Sequence, residues 1–167
     1  MSETSSSLVF VYGTLRKDAR GQTLSPLCRD WVFKGYGTVA GELYDFGAYP
    51  GAVPSRSGDA YIRGEVYELP LPSVMIPLID EYEGCGENDP LPHEFERELI
   101  DVDLEDGGAA RAWIYWYQPS PLGRRLESGD YLQRPGHVSP RKRRTHWSGP
   151  KSDQPYPDDD RDREQNP

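Results

Sequence analysis

The chain has 167 residues, enough for one domain of ordinary size, and a formal net charge of -9 at pH 7. That charge argues against non-specific binding to nucleic acid or to an anionic membrane surface. No stretch approaches the ~18 consecutive apolar residues of a transmembrane helix, and MSETSSS at the start lacks the features of a secretory signal. Two cysteines, Cys28 and Cys85, fit neither a disulfide framework nor a zinc motif, so a reducing cytoplasm is the simplest expectation.

Composition divides the chain into a folded domain over 8–134 and two tails, 1–7 and 135–167. The C-terminal tail is rich in Pro, Asp and Arg and poor in aliphatic residues. Since it cannot bury enough apolar surface to offset its ordering entropy, we expect it, like the short N-terminal tail, to be disordered. RKRR at 141–144 is compatible with a nucleic-acid patch or a localisation signal. DDDRDRE follows soon after, however, which favours a solvated tail of mixed charge.

The first half of the domain is predicted to be mainly strands. Residues 8–12 form a continuous apolar run, typical of a strand buried on both faces. Residues 22–31 are ambiguous and could hold a short helix interrupted at Pro26. Strands are predicted over 37–46 and 60–69, separated by a Pro- and Gly-containing loop, 49–59. Both strands contain Gly-Glu-(Leu/Val)-Tyr. This is either an internal repeat or, as we favour, two strands in similar surroundings.

The second half holds the best helix candidate, 72–84, which carries one apolar stripe at i, i+3, i+4 and i+7: Met75, Leu78, Ile79 and Tyr82. Because proline is costly inside a helix, the regular part is predicted to begin at Pro77 and to stop at Gly84. A flexible connection, 85–93, precedes two strands over 95–118 joined by an Asp-Gly-Gly turn. The fold class is therefore α+β: a mixed, mainly antiparallel curled sheet or small barrel with few short helices.

Glu83 is the carboxylate that stands out. It follows Ile79 by four residues and shares its apolar face, whereas Glu81 is turned by about 200° from Ile79 and points to water. Both apolar surroundings and the negative end of the helix dipole raise the pKa of a carboxyl. Glu83 is therefore either a solvated residue at a helix end or a general acid–base group that works near neutral pH.

Other titratable side chains are less informative. His93, His137 and His146 lack metal-ligand spacing. Cys85 has no nearby histidine to activate it, so an inert thiol is expected. The sequence contains no P-loop, dinucleotide fingerprint or nucleophile elbow.

The turn after the first strand suggests an anion site. Gly13 permits close approach of the backbone to a ligand and unusual backbone angles, and the consecutive N–H groups of Gly13, Thr14 and Leu15 could form an anion-binding nest. Arg16 and Lys17 are expected to reinforce a positive spot there. The alternative is an ordinary strand exit with surface cations.

Several segments, in order, resemble the gamma-glutamylcyclotransferase-like family, especially its gamma-glutamylamine cyclotransferase and bacterial AIG2-like branch. The resemblance covers nearly all of 8–118. It is carried by Tyr-Gly-Thr-Leu after the first strand, GTVAGELYDFGAYPG (37–51), RGEVYEL (63–69), LIDEYEG (78–84), HEFERELIDV (93–102) and AWIYWY (112–117).

The resemblance implies a reaction that needs no metal or cofactor. In this family the α-amine of a gamma-glutamyl amide attacks its own γ-carbonyl, closing 5-oxoproline and expelling an amine. The resemblance assigns the general acid–base role to Glu83 and substrate binding to Tyr12, Gly13, Thr14 and Leu15. Tyr115 matches an aromatic position near the family's pocket, although an ordinary strand tyrosine would look the same.

Three functions remain open on these grounds. The first is a cyclotransferase acting on a small gamma-glutamyl molecule, with no nucleic-acid or membrane partner. The second is a binding or regulatory module that keeps the pocket without turnover, and the third is another amide-cleaving reaction on the same scaffold. A carboxylate kept in an apolar pocket favours the enzyme, because its burial is costly without a role. The leaving amine and the oligomeric state cannot be read from the sequence.

Overall fold

A computed structural model describes residues 5–17, 19 and 26–136, and in this part of the chain strands predominate. The strands are β1 (Leu8–Val11), β2 (Val32–Asp45), β3 (Pro50–Pro54), β4 (Tyr61–Glu68), β5 (Phe95–Leu104), β6 (Ala109–Tyr117) and β7 (Arg124–Arg125). The helices are α1 (Pro72–Tyr82) and two 3-10 turns, Pro26–Cys28 and Tyr131–Gln133. No helix among the described residues is long and apolar enough to cross a bilayer.

Five of the strands close into a small barrel. They neighbour one another in the order β2, β4, β1, β6 and β5, and β5 pairs again with β2. Only the β1–β6 pair is parallel among these described pairings, with Val9 opposite Trp113. The predicted α+β class, with a curled, mainly antiparallel sheet or small barrel, is confirmed.

Strand β1 is buried on both faces, as predicted. Phe10 and Tyr12 belong to the barrel core, an apolar cluster that includes Ile62 and Ile114 from neighbouring strands. Val9 and Val11 belong to an outer core on the other side of the sheet, where α1 packs. Burying each such side chain contributes about 1.5–3 kcal/mol, so β1 is anchored from two sides and its end is a rigid place to build a site.

Helix α1 differs from its prediction at its start and along its stripe. It begins at Pro72, a favourable first position, and continues through Pro77. Pro77 removes only the hydrogen bond to the carbonyl of Ser73, and Ser73 is exposed so that water can replace it. The face that packs on the outer core holds Ile79 with its neighbours Met75 and Ile76, whereas the predicted stripe residues Leu78 and Tyr82 are exposed.

Other predicted boundaries need smaller corrections. The predicted loop 49–59 contains the short strand β3, which pairs with the end of β2. The Asp-Gly-Gly turn is confirmed, with Gly107 at a φ of 94°. In the ambiguous segment 22–31 the described part forms only a 3-10 turn, and 22–25 lie outside the described residues.

The two predicted tails fall mostly outside the described residues. At the N-terminal boundary, Ser6 already contacts the barrel: its Oγ donates to the carbonyl of Arg111, and its own carbonyl accepts from Trp113 Nε1 at 3.0 Å. Of the predicted C-terminal tail 135–167, the structure describes only the first two residues, and the basic segment 141–144 lies beyond them.

Candidate active site

A cavity of about 290 Å³ opens where the end of β1, the start of β3, the end of α1 and the start of β5 meet. This volume lies just below the range of about 300–1,000 Å³ that is typical of small-molecule sites. All six residues that the sequence and the resemblance pointed to line this cavity: Tyr12, Gly13, Thr14, Leu15, Glu83 and Tyr115. Positions up to 103 residues apart in the chain are thus brought together at one concave surface.

Gly13 is required at the turn by space rather than by backbone angle. A Cβ placed on Gly13 would lie 2.4 Å from Cγ of Pro50, the first residue of β3. The backbone φ of Gly13 is not in the positive range, so the conformational freedom expected of this glycine is not used. The turn is closed by the N–H of Arg16 donating to the carbonyl of Gly13 at 3.1 Å.

The amides of this turn remain candidates for an anion nest. No hydrogen bond joins the N–H of Gly13 or of Thr14 to another residue that the structure describes. Thr14 is half-buried and lines the cavity. Backbone donors that the protein itself does not satisfy can be offered to a ligand.

The expected positive spot beside the turn is a misreading, because both cations are engaged elsewhere. Arg16 is only 1% exposed, and its guanidinium lies 2.7 Å from Asp130 and 3.7 Å from Glu65. The ammonium of Lys17 lies over the ring of Phe33, 4.2 Å from its centre. These side chains hold the turn in place, and neither lines the cavity.

Glu83 caps the C-terminus of α1 in a fixed backbone geometry. Its own N–H donates to the carbonyl of Ile79 at 2.8 Å. Gly84, at a φ of 74°, donates to the carbonyl of Glu81, and Cys85 donates to the carbonyl of Asp80 at 2.8 Å. This is the Schellman arrangement, in which a left-handed glycine lets the chain turn away from the helix. The predicted stop at Gly84 is confirmed.

The environment of Glu83 raises its pKa to about 7. Burial is the main cause, and the negative charge of Glu94 adds to it. Glu81, two residues earlier, is exposed and does not line the cavity. The helix geometry predicted for these two carboxylates is therefore confirmed, and Glu83 sits in the cavity with a pKa matched to neutral pH.

Two tyrosines brace the cavity wall. Tyr12 donates its hydroxyl to the carbonyl of Tyr115 at 2.6 Å, and Tyr115 donates its own to Asp80 at 2.6 Å. Arg97 donates to the same oxygen of Asp80 at 2.9 Å. Burial is the main cause that raises the pKa of both tyrosines. The negative charge of Glu83 raises the pKa of Tyr12 further, and the hydrogen bond to Asp80 raises that of Tyr115. Both phenols therefore stay neutral and serve as fixed walls.

Sequence reasoning missed three polar residues near this site. Asp80 lies one helical turn before Glu83, so a helical wheel could have pointed to it. Glu94 and Tyr49 line the cavity from the segments before β5 and β3, and Tyr49 donates its hydroxyl to Glu94. Nothing local marks these two residues, because only the folded chain brings their segments to the cavity.

The remaining titratable groups do not add chemistry to the cavity. Burial, followed by the charges of Asp80 and Glu83, raises the pKa of Cys85 to about 12, so this thiol stays protonated and inert at neutral pH. A ring nitrogen of His93 lies 3.3 Å from the carbonyl of Asp89. No group of three or more metal-ligating side chains occurs among the described residues.

A second, wider depression of about 840 Å³ lies beside the β2–β3 hairpin and the segment after β6. Side chains of both signs line it, among them Glu42, Arg56, Glu96 and Arg97. Neither Glu83 nor the Gly13–Leu15 turn lines this depression, whereas both line the smaller cavity. The smaller cavity is therefore the candidate active site.

Solved structures with a similar fold define the class of this barrel. The protein PH0828 from Pyrococcus horikoshii matches with a TM-score of 0.54 and 28% identity, over 76% of this chain and 91% of that one. An AIG2-like protein from Mus musculus matches with a TM-score of 0.53 over 70% of this chain and 80% of that one. At 23% identity the mouse protein shows a shared fold. The chain thus has an AIG2-like fold.

Sequence comparison identifies the family. The model described as gamma-glutamyl cyclotransferase, AIG2-like, matches residues 9–133. The gamma-glutamylcyclotransferase family protein YtfP of Escherichia coli K12 is 33% identical over 130 residues, which cover 75% of this chain and 96% of YtfP. The chain belongs to the gamma-glutamyl cyclotransferase, AIG2-like family.

Proposed function

We propose that the protein is a gamma-glutamyl amine or amide cyclotransferase, which releases 5-oxoproline and a free amine without a cofactor. The observation that carries this proposal is a carboxyl with a pKa of about 7, Glu83, in the same cavity as the Gly13–Leu15 turn. Glu83 can take and return a proton at neutral pH, and the turn offers backbone N–H donors to an anion. Family membership supports the same activity.

In this mechanism the turn holds the substrate's α-carboxylate. Among the described residues no Lys, Arg or His lines the cavity, so the amides of Gly13 and Thr14 are the donors proposed to bind it, and Leu15 completes the turn. The buried wall of Tyr12 and Ile79 confines the short methylene chain. Held in this way, the α-nitrogen lies near its own γ-carbonyl, and ring closure benefits from orientation within one molecule.

Glu83 carries the proton transfers. Its carboxylate accepts a proton from the substrate's α-ammonium, which frees the lone pair that attacks the γ-carbonyl carbon. The new C–N bond closes the lactam, the original amide C–N bond breaks, and protonated Glu83 returns a proton to the departing nitrogen. From ammonium to lactam the α-nitrogen loses two protons, and the departing nitrogen gains two to leave as an ammonium ion, so the reaction balances.

The direct test is incubation with a panel of gamma-glutamyl amides and detection of 5-oxoproline. Release of 5-oxoproline together with an equal amount of free amine is expected.

The second candidate is a binding module, favoured by the fully formed and braced cavity. It would be supported if 5-oxoproline binds while no panel member is turned over.

Substitutions in the turn separate backbone from side-chain binding. Gly13→Val is expected to weaken substrate binding far more than Thr14→Ala, because the added side chain collides with Pro50 and shifts the amides. Thr14→Ala keeps every amide in place. The measurement is KM for the best panel substrate, with circular dichroism to confirm folding. Equal effects in two folded variants would mean that the Thr14 hydroxyl, and not the backbone, makes the contact.

The raised pKa of Glu83 also has a consequence for stability. Between its ordinary value of 4.5 and about 7 the folded protein binds a proton that the unfolded chain has lost, so stability falls as pH rises through this window. Glu83→Gln removes that penalty. Its free energy of unfolding at pH 8 is therefore expected to be about 1–3 kcal/mol higher than that of wild type, a range that allows for partial exposure of the Glu83 side chain. Near pH 4 the difference should vanish. Urea unfolding at both pH values tests this, and a difference that does not change with pH contradicts it.

A further inference from the structure

The mouth of the cavity is marked by its exposed lining residues. Tyr49 and Tyr82 are 38% and 53% exposed, and Glu94 is exposed as well, whereas Tyr12, Leu15 and Ile79 are buried deeper in the lining. If the gamma-glutamyl part occupies the deep end, the departing amine extends toward these three residues. This inference therefore rests on the proposed function.

Glu94 is held in place at this mouth. Its backbone carbonyl accepts from the N–H of Gln118 at 2.8 Å, just before β5 begins at Phe95. Its carboxylate accepts the hydroxyl of Tyr49. A carboxylate fixed from both its backbone and its side chain presents a negative charge in a defined position.

That charge is not neutralised by a cation of the described chain. Among the described residues, no ion pair includes Glu94 and no Lys, Arg or His lines the cavity. Its field reaches into the site, since it contributes to the raised pKa of Glu83. A positive group at the mouth would meet a carboxylate that has no cationic partner among the described residues. The same mouth carries the exposed aromatic rings of Tyr49 and Tyr82, which also attract cations.

We propose that Glu94 is a specificity-determining residue that selects gamma-glutamyl amides whose departing amine carries a second positive charge, such as a mono-gamma-glutamyl diamine. Departing groups that carry a carboxylate are disfavoured by the same charge. The alkyl chain of the diamine lies against the rings of Tyr49 and Tyr82, and its distal ammonium pairs with Glu94.

The test uses three gamma-glutamyl amides of equal chain length whose distal ends are an ammonium, a methyl group and a carboxylate. The value of kcat/KM is measured for each at low and at 0.5 M salt, through 5-oxoproline release. For wild type we expect the cationic amide to exceed the neutral one by about five- to tenfold at low salt, and the neutral one to exceed the anionic one similarly. These ratios should fall at high salt.

Glu94→Gln is expected to bring both ratios close to one. Because it also changes the field at Glu83, the readout is the ratio among substrates rather than the absolute rate. Glu81→Gln is the matched control, since it removes the same charge from an exposed position outside the cavity and should keep the wild-type ratios. Wild-type ratios near one, or ratios that Glu94→Gln leaves unchanged, overturn the proposal.

If none of the three amides is turned over, the proposed function fails and binding decides the inference separately. Calorimetric titration of the same amides should then give tighter binding of the cationic one to wild type than to Glu94→Gln. Equal affinity of both proteins for all three amides overturns the role of Glu94.

Discussion

Glu83→Gln is expected to lower kcat for gamma-glutamyl amides by about 10²–10⁴-fold while the protein stays folded and binds 5-oxoproline. The amide is nearly isosteric with the carboxyl but cannot take the ammonium proton or return one to the departing amine. Both proton transfers are then left to water. The measurement is turnover of the best panel substrate, with 5-oxoproline binding followed in parallel.

The matched control for this experiment is Glu81→Gln. Glu81 and Glu83 lie two residues apart at the end of α1, but Glu81 is exposed and Glu83 faces the cavity. Glu81→Gln should therefore leave kcat within about twofold of wild type. If Glu83→Gln keeps more than about a tenth of wild-type turnover, less than ~1.4 kcal/mol of transition-state stabilisation has been lost and Glu83 is not the proton carrier.

The pH dependence of the reaction follows from the same carboxyl. Glu83 must be ionised to accept the ammonium proton, so kcat/KM is governed on its acid side by a pKa of about 7. Burial sets most of this value and Glu94 adds to it. The residue proposed to select the departing amine therefore also tunes the residue proposed to carry the proton.

Features encoded by local patterns could be predicted from the sequence. The apolar run of β1, the Asp-Gly-Gly turn and the stop at Gly84 each depend on residues a few positions apart. The distinction between Glu81 and Glu83 also needs only the helical repeat and one buried neighbour, Ile79. For these features the chain's own periodicity determines which side faces the core.

Features encoded by distant contacts could not be predicted. Arg16 looked like a surface cation because its partner Asp130 is 114 residues away. Position 13 requires glycine because Pro50, from another strand, lies against it. Glu94 raises the pKa of Glu83 only because β5 starts beside the end of α1. The helix start was misplaced because a proline that would be costly in the middle of a long helix is tolerated at an exposed turn.

The turn that begins the site is anchored by a buried ionic cluster. Arg16 pairs with Asp130 at 2.7 Å and with Glu65 at 3.7 Å, and all three side chains are nearly inaccessible. Glu65 also accepts hydrogen bonds from the N–H of Lys17 and the hydroxyl of Tyr67, both at 2.9 Å. The cluster thus ties the turn to β4 and to the segment after β7.

Arg16→Met is expected to lower the free energy of unfolding by about 3–5 kcal/mol at pH 7, because it leaves the carboxylate of Glu65 buried without a cation. Asp130 keeps a weaker partner in Arg63, at 3.6 Å. Lys34→Met is the control. It breaks an ion pair with Glu68 in which both side chains are 47% exposed, and should cost less than about 1 kcal/mol.

A second substitution separates this charge effect from a loss of packing. The double variant Arg16→Met/Glu65→Gln removes the buried carboxylate charge together with its cation, so its deficit in unfolding free energy relative to wild type should be smaller than that of Arg16→Met alone. Urea unfolding of wild type and both variants at pH 7 measures the two deficits. A deficit below about 1 kcal/mol for Arg16→Met would mean that the buried pairs do not anchor the turn. A large deficit that is equal in both variants would assign the loss to packing of the Arg16 side chain.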